Sequence, residues 1–313
     1  MLNMDIAWQD TLTRAQRADY GAVRGLCTAL CARYACLRGA VAGHSLLGRE
    51  LPILLLTPTR DQPIGERVLV AAAFHGQEWL TALCALRLCE EVCRALTGGL
   101  SLCGIPMSRA LHGRQIVFLP MVNPDGVEIA LRGSAAAGEY ADFVREHGGD
   151  TQGLWQANAR GVDINHNFNA GWQEMQALAE KNGKDRPGAR QYRGQSPESE
   201  PETRAVTDLC RLYGFRHVVA LHSQGEEIYW QYGEHTPPQS RMIAQVLGAA
   251  SGYTVTDPTG MASHGGFKDW FISCFHRPGF TIELGRGVNP LPVEEFDAIY
   301  QKAREMLVLS LLL

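Results

Sequence analysis

The 313-residue chain has no apolar run near the roughly 18 residues needed to span a bilayer. It has no basic excess either: 29 Lys and Arg stand against 33 Asp and Glu, a formal charge of −4, which argues against a dedicated nucleic-acid binder. Internal repeats, low-complexity segments and C-x-x-C pairs are all missing. The nine cysteines are an odd number, with several at helical spacing (Cys27 and Cys31, Cys89 and Cys93). The opening stretch MLNMDIAWQDTLTRAQ carries acids and polar groups where a signal peptide needs an apolar segment. Together these features predict reduced core thiols and a cytoplasmic protein. The apolar stretch Met306 to Leu313, only eight residues long, reads as the buried end of a last helix rather than an anchor.

What is present is an ordinary globular composition, 45% hydrophobic and 20% charged. A chain this long buries about three quarters of its unfolded surface, enough for a full core. Helical spacing marks 15–36, and GAVAGHSLLGRELPILLLT predicts a hairpin. ERVLVAAAF (66–74) is continuously apolar, as for a strand covered on both faces. RQIVFLPMVNP (114–124), RHVVALHS (216–223) and GFTIELG (279–285) read the same way. Helical patterns lie at 80–96, 201–213, 239–250 and 293–309. Strands alternating with helices predict an α/β fold, a central mixed, mostly parallel sheet flanked by helices. The Gly-, Asn- and charge-rich stretch 133–195 is too poor in apolar residues for a second domain, so one domain over 1–313 is expected.

Ligands of open α/β sheets bind beyond the carboxyl ends of the strands. Those ends carry His75 and Glu78 in HGQEW, His222 in HSQGEEIYW, and Glu283 in TIELG. With ten His and 33 acids, about one His-x-x-acid pair arises by chance, and His147–Asp150 is another instance, so H-x-x-E alone says little. The conjunction at strand ends says more. Two His and one Glu make the ligand set of a catalytic zinc, which leaves a fourth position for water and needs a separate carboxylate as base.

HGQEW, NPDG (123–126), GVDINHNFNAGW (161–172), SEPET (199–203), LHSQG (221–225), GGFKDW (265–270) and TIELG (281–285) occur in the order seen in zinc carboxypeptidases. From about Gly39 onward the chain resembles that carboxypeptidase A-like family. HSQGEEIYW and NHNFNAGW are most similar to bacterial γ-D-glutamyl-L-diamino acid peptidases, which cut cell-wall stem peptides. The resemblance implies the zinc carboxypeptidase fold, one Zn2+ per chain on His75, Glu78 and His222, and Glu283 as catalytic carboxylate. The partner it implies is a small peptide substrate, with no nucleic acid and no membrane. Only 74 residues precede His75, which predicts an enzyme made without a pro-segment.

Several family features are altered. The Asn-Arg pair that holds a substrate carboxylate is Asn165 and His166 here, and His has a shorter reach and at most a partial charge. The Arg two residues after the first ligand is Gln77, the oxyanion-assisting Arg after a Trp is Gln156, and the aromatic hydroxyl over the substrate aligns with Met261. A changed substrate with its cationic partners elsewhere follows, and Arg160, Arg193 and Arg286 are the candidates. Glu226 and Glu227 suit a substrate amino group, and Phe168, Trp172, Tyr229, Trp230 and Tyr232 suit a cleft wall or simple core. Three other readings stand beside this one. A generic zinc carboxypeptidase is one. A deacylase of the aspartoacylase type shares H-x-x-E and a later His but lacks NPDG, SEPET and GGFKDW. A non-catalytic zinc-stabilised peptide binder predicts binding without cleavage.

Overall fold

Each continuous apolar stretch has two faces to bury, and the molecule covers both. The structure, a computed structural model, describes residues 11–58, 63–151 and 153–313, so the first ten residues of the opening stretch lie outside it. The main sheet has eight strands: β1 (Leu37–His44), β2 (Glu50–Leu56), β3 (Glu66–Ala72), β4 (Arg114–Leu119), β5 (His217–His222), β6 (Glu227–Tyr229), β7 (Thr254–Thr256) and β8 (Gly279–Glu283). Their order is β1-β2-β4-β3-β5-β8-β6-β7. The central four, β4, β3, β5 and β8, are parallel; β2 and β6 flank them antiparallel.

Side chains alternate along these strands into two cores. Val68, Val70, Ala72, Val219 and Leu221 pack on one face against helices α1 (Tyr20–Arg33) and α2 (Leu80–Gly98). Leu69, Ala71, Val218 and Ala220 pack on the other. Further along the chain come α3 (Pro124–Arg132), α4 (Trp172–Lys181), α5 (Pro201–Tyr213), α6 (Gln239–Ser251), α7 (Phe267–Phe275) and α8 (Phe296–Ser310). Helices α6 and α8 join the first core, α5 and α7 the second. In α8 and just after it, Met306, Leu307, Val308 and Leu311 are fully buried, as their hydrophobicity predicts. Among the described residues no helix is long and apolar enough to cross a membrane.

The structure differs from the sequence reading at three points. Helix α1 is shorter than 15–36 because Asp19 caps it, its Oδ1 accepting the Ala22 N–H at 2.8 Å. The stretch 133–195 holds α4, and around Trp155 it builds a small core of its own with Ile129, Ala137 and Val144. All nine thiols are free, but Cys274 is exposed rather than in the core.

Glycine draws the loops of the motifs together. A Cβ on Gly76 would stand 2.2 Å from the Gly126 carbonyl oxygen, and one on Gly126 would stand 2.4 Å from that of Ala157. The HGQEW and NPDG loops and the 155–157 segment therefore meet backbone to backbone, which only glycine permits. Gly76→Ala is expected to cost about 1–3 kcal/mol, since the obstacle is main chain that cannot rotate aside, and urea unfolding would measure it.

His217 is buried at the opposite end of β5, its Nε2–H donating to the Ser310 carbonyl at 2.6 Å. Burial pushes its pKa down from the usual 6.5 to about 4. Between those values the unfolded chain takes up a proton that the folded chain refuses, so this side chain makes stability rise with pH across pH 4 to 6.5. Over that window the native protein should lose about 3 kcal/mol more than His217→Gln on acidification; equal acid sensitivity of the two in urea unfolding would contradict this.

Candidate active site

The parallel register sets Glu283 beside His222 and Ala72 beside Leu221, so β3, β5 and β8 end level with one another. Beyond β3 the chain passes through Ala73, at φ 52°, to His75 and a short 3-10 turn at Gly76–Glu78. That turn folds the Glu78 carboxylate back over the strand ends. One oxygen lies 2.7 Å from His75 Nδ1 and the other 2.9 Å from His222 Nδ1. Thr81 braces the turn, its hydroxyl donating to the Glu78 carbonyl at 2.7 Å and accepting the Ala73 N–H at 3.0 Å. One donor atom from each of His75, Glu78 and His222 lies within 4.8 Å of the other two.

Asp163, from the GVDINHNF string, supports this group. Its Oδ1 faces His75 Nε2 at 3.2 Å, its Oδ2 accepts the Gln191 N–H at 2.9 Å, and His166 Nδ1 lies 3.2 Å away. Burial alone would raise the Asp163 pKa, but the neighbouring His166 and His75 hold it well below the usual range. Glu78 is likewise lowered to about 2, because its two imidazoles outweigh burial. His75 is raised well above its usual value, since the Glu78 and Asp163 charges overcome burial, whereas burial prevails at His222 and lowers it. Glu283 is driven well up by burial and then by repulsion from Glu78.

These groups suit a divalent cation. Glu78, Asp163 and Glu283 are three neighbouring carboxylic acids, and among the described residues the ion pairs to the first two come only from imidazoles. Both imidazoles present Nδ1 to the shared carboxylate, and Asp163 fixes the far side of His75, as carboxylates do for metal-bound histidines.

A cleft of about 460 Å³ opens over the strand ends, and Glu283, Gln156, Asn165 and His166 line it together with His75 and Glu78. Asn165 Oδ1 accepts the Phe267 N–H at 3.0 Å, leaving its amide N–H group for other partners. His166 is turned inward, Nε2 donating to the Met261 carbonyl at 3.0 Å. Met261 therefore enters through its backbone; it does not line the cleft.

The expected cations are elsewhere. Arg160 pairs with Glu200 at 3.0 Å and Arg286 with Glu226 at 2.6 Å, both away from the cleft, while Arg193 lies over the Trp172 ring at 4.2 Å. Glu226 is further paired with Lys302, and Glu227 accepts the Tyr229 hydroxyl at 2.6 Å. Tyr229 lines the cleft, Phe168 is core, and Trp230 packs against the other core. The Tyr232 hydroxyl meets His264 Nδ1 at 3.0 Å.

The sequence reading missed Asp163, Arg190 and the buried Lys268–Asp269 pair, all of which lie in the cleft wall. Three of these sit inside quoted motifs, where residue type and position signalled them; Arg190 belongs to no motif.

A zinc carboxypeptidase family model matches residues 27–306. The chain is 35% identical over 291 residues to gamma-D-glutamyl-L-diamino acid endopeptidase 1 of Lysinibacillus sphaericus, covering 92% of this chain and 70% of that protein. It is 26% identical over 260 residues to carboxypeptidase B of Rattus norvegicus, covering 78% and 57%. The carboxypeptidase A structure from Helicoverpa armigera matches with a TM-score of 0.72 at 18% identity, covering 95% of this chain and 73% of that one, which establishes the shared fold. With seven ordered motifs, the sheet and two imidazoles facing one buried glutamate, the chain belongs to the zinc carboxypeptidase family and is a zinc metallopeptidase.

Proposed function

We propose that this enzyme hydrolyses the γ-D-glutamyl–diamino acid bond of bacterial cell-wall stem peptides. In this reading His75, Glu78 and His222 hold a single zinc ion, and Glu283 moves the proton. The observation that carries the substrate assignment is the 35% identity, along 92% of the chain, to a relative named for that bond. The altered family positions, Gln77, Gln156 and His166, where the family carries arginines, support a substrate unlike that of an ordinary carboxypeptidase.

When bound, the zinc polarises the scissile carbonyl and acidifies water beside it. The protein's own groups do the rest. Asp163 holds His75 by Nε2 and so keeps Nδ1 directed at the centre. Glu283, at the end of β8, takes a proton from the attacking water and delivers it to the leaving amine. Burial and the Glu78 charge raise its proton affinity from the usual carboxylate range. The amide of Gln156 stands in the cleft wall as a neutral donor for the developing oxyanion, and the free Asn165 amide serves the substrate backbone.

The direct test is mass spectrometry of the products from a defined L-alanyl-γ-D-glutamyl-diamino acid peptide and its α-linked isomer; cleavage of the α isomer alone would sink the assignment. Glu283→Gln is expected to keep its zinc, by metal analysis, while turnover falls by about 10²–10⁴-fold. Chelation should abolish turnover and lower the thermal midpoint, with zinc restoring both, because an ion bound only by the folded state stabilises it. His222→Ala should show neither the loss nor the recovery of midpoint.

A further inference from the structure

The substrate proposed above is an anion, and its cleft is acidic. Glu78, Asp163, Asp269 and Glu283 all line it. A peptide bearing free carboxylates needs a cation there, and the three arginines singled out in the sequence lie outside. Apart from imidazoles, the described lining residues include two cationic side chains, Lys268 and Arg190.

Lys268 is already neutralised. It is 3% exposed, it pairs with the equally buried Asp269, and its Nζ donates to the Gln231 carbonyl at 2.6 Å. Arg190 differs in each respect. It is half-buried, and among the described residues no carboxylate lies within ion-pairing distance of it. Among the described residues its side chain makes one hydrogen bond, from a terminal guanidinium nitrogen to the Leu154 carbonyl at 3.4 Å, the long limit for such a bond. Most of the five N–H donors of its planar fork remain unspent at the wall of the cleft.

The backbone under Arg190 is held on both sides. The Ala189 carbonyl accepts the N–H groups of Gln156 and Ala157 at 2.8 and 3.0 Å. Gln191 sits at φ 67°, a region that side chains other than glycine rarely enter, and its N–H is bound by Asp163. The Asp163 N–H in turn reaches the Tyr192 carbonyl at 2.8 Å. An unfavourable conformation kept in place by such contacts is a mark of a positioned segment. Arg190 thus grows from a stretch pinned to Gln156 and to the very aspartate that orients His75, unlike a long surface arginine free to wander.

We propose that Arg190 receives a carboxylate of the substrate and determines specificity for it. The inference rests on the stem-peptide reading. Two carboxylates are available: the α-carboxylate of the γ-linked glutamyl residue and that of the diamino acid. The first is absent from an α-linked peptide, so its capture would also select the γ linkage.

The experiment compares three peptides on the native enzyme, Arg190→Gln and Arg190→Lys: the free L-alanyl-γ-D-glutamyl-diamino acid, its glutamyl α-carboxamide, and its diamino acid carboxamide. Loss of one carboxylate from the native pair should raise KM about ten- to a hundredfold with kcat little changed, the span of a charged hydrogen bond lost. Arg190→Gln should show that rise on the free peptide and no additional rise on the matching amide, and Arg190→Lys should recover part of it. The amide that erases the difference identifies the carboxylate. Discrimination against both amides that survives undiminished in Arg190→Gln would overturn the proposal. Calorimetric binding of the free peptide to Glu283→Gln, with and without Arg190→Gln, separates the two readings. No cleavage by native enzyme despite peptide binding defeats the stem-peptide reading, whereas binding that is unaffected by Arg190→Gln defeats this one.

Discussion

One buried carboxylate shared by two imidazoles governs the architecture of this centre. An isolated charge in such surroundings is prohibitively unfavourable, so Glu78 exists there only because His75 and His222 face both of its oxygens. The rest follows from bringing those three together. A level parallel register delivers His222 and Glu283, a three-residue turn returns Glu78 over His75, and Thr81 holds that turn closed. Around them a second ring of contacts, Asp163 with His75, His166 and Gln191, links the centre to the long stretch that looked least structured in the sequence.

The cleft has been emptied of free positive charge at its customary places and refilled sparingly. Gln77 and Gln156 are neutral, His166 is engaged with Met261, and Lys268 is matched by Asp269. With so little free positive charge in the wall, selectivity for an anionic substrate depends on the few groups whose hydrogen-bonding capacity is unspent.

Much of this was legible in the chain because buried parallel strands and amphipathic helices carry strong patterns. β3, β5, β8 and α5 lie within a residue or two of where apolar runs place them. The four strand-end groups could be found because strand ends are identifiable points. The short strands β6 and β7 on one side of the sheet, three residues each, have no periodicity to detect, and α7 begins in a glycine pair that reads as a turn. The cationic partners were misplaced for a plainer reason. Arg160, Arg193, Arg286 and Arg190 all occur near motifs or loops, and only three-dimensional packing decides which of them finds an acid or a ring and which does not.

The two sides of the centre are anchored very differently. His222 and Glu283 terminate strands in the middle of the sheet, where opening requires the whole fold to come apart, while His75 and Glu78 ride on a 3-10 turn secured by a few hydrogen bonds. On the proposed ligand set an ion would thus be held from one side by the ends of the sheet and from the other by a loop, and the loop side is where its release is expected to begin.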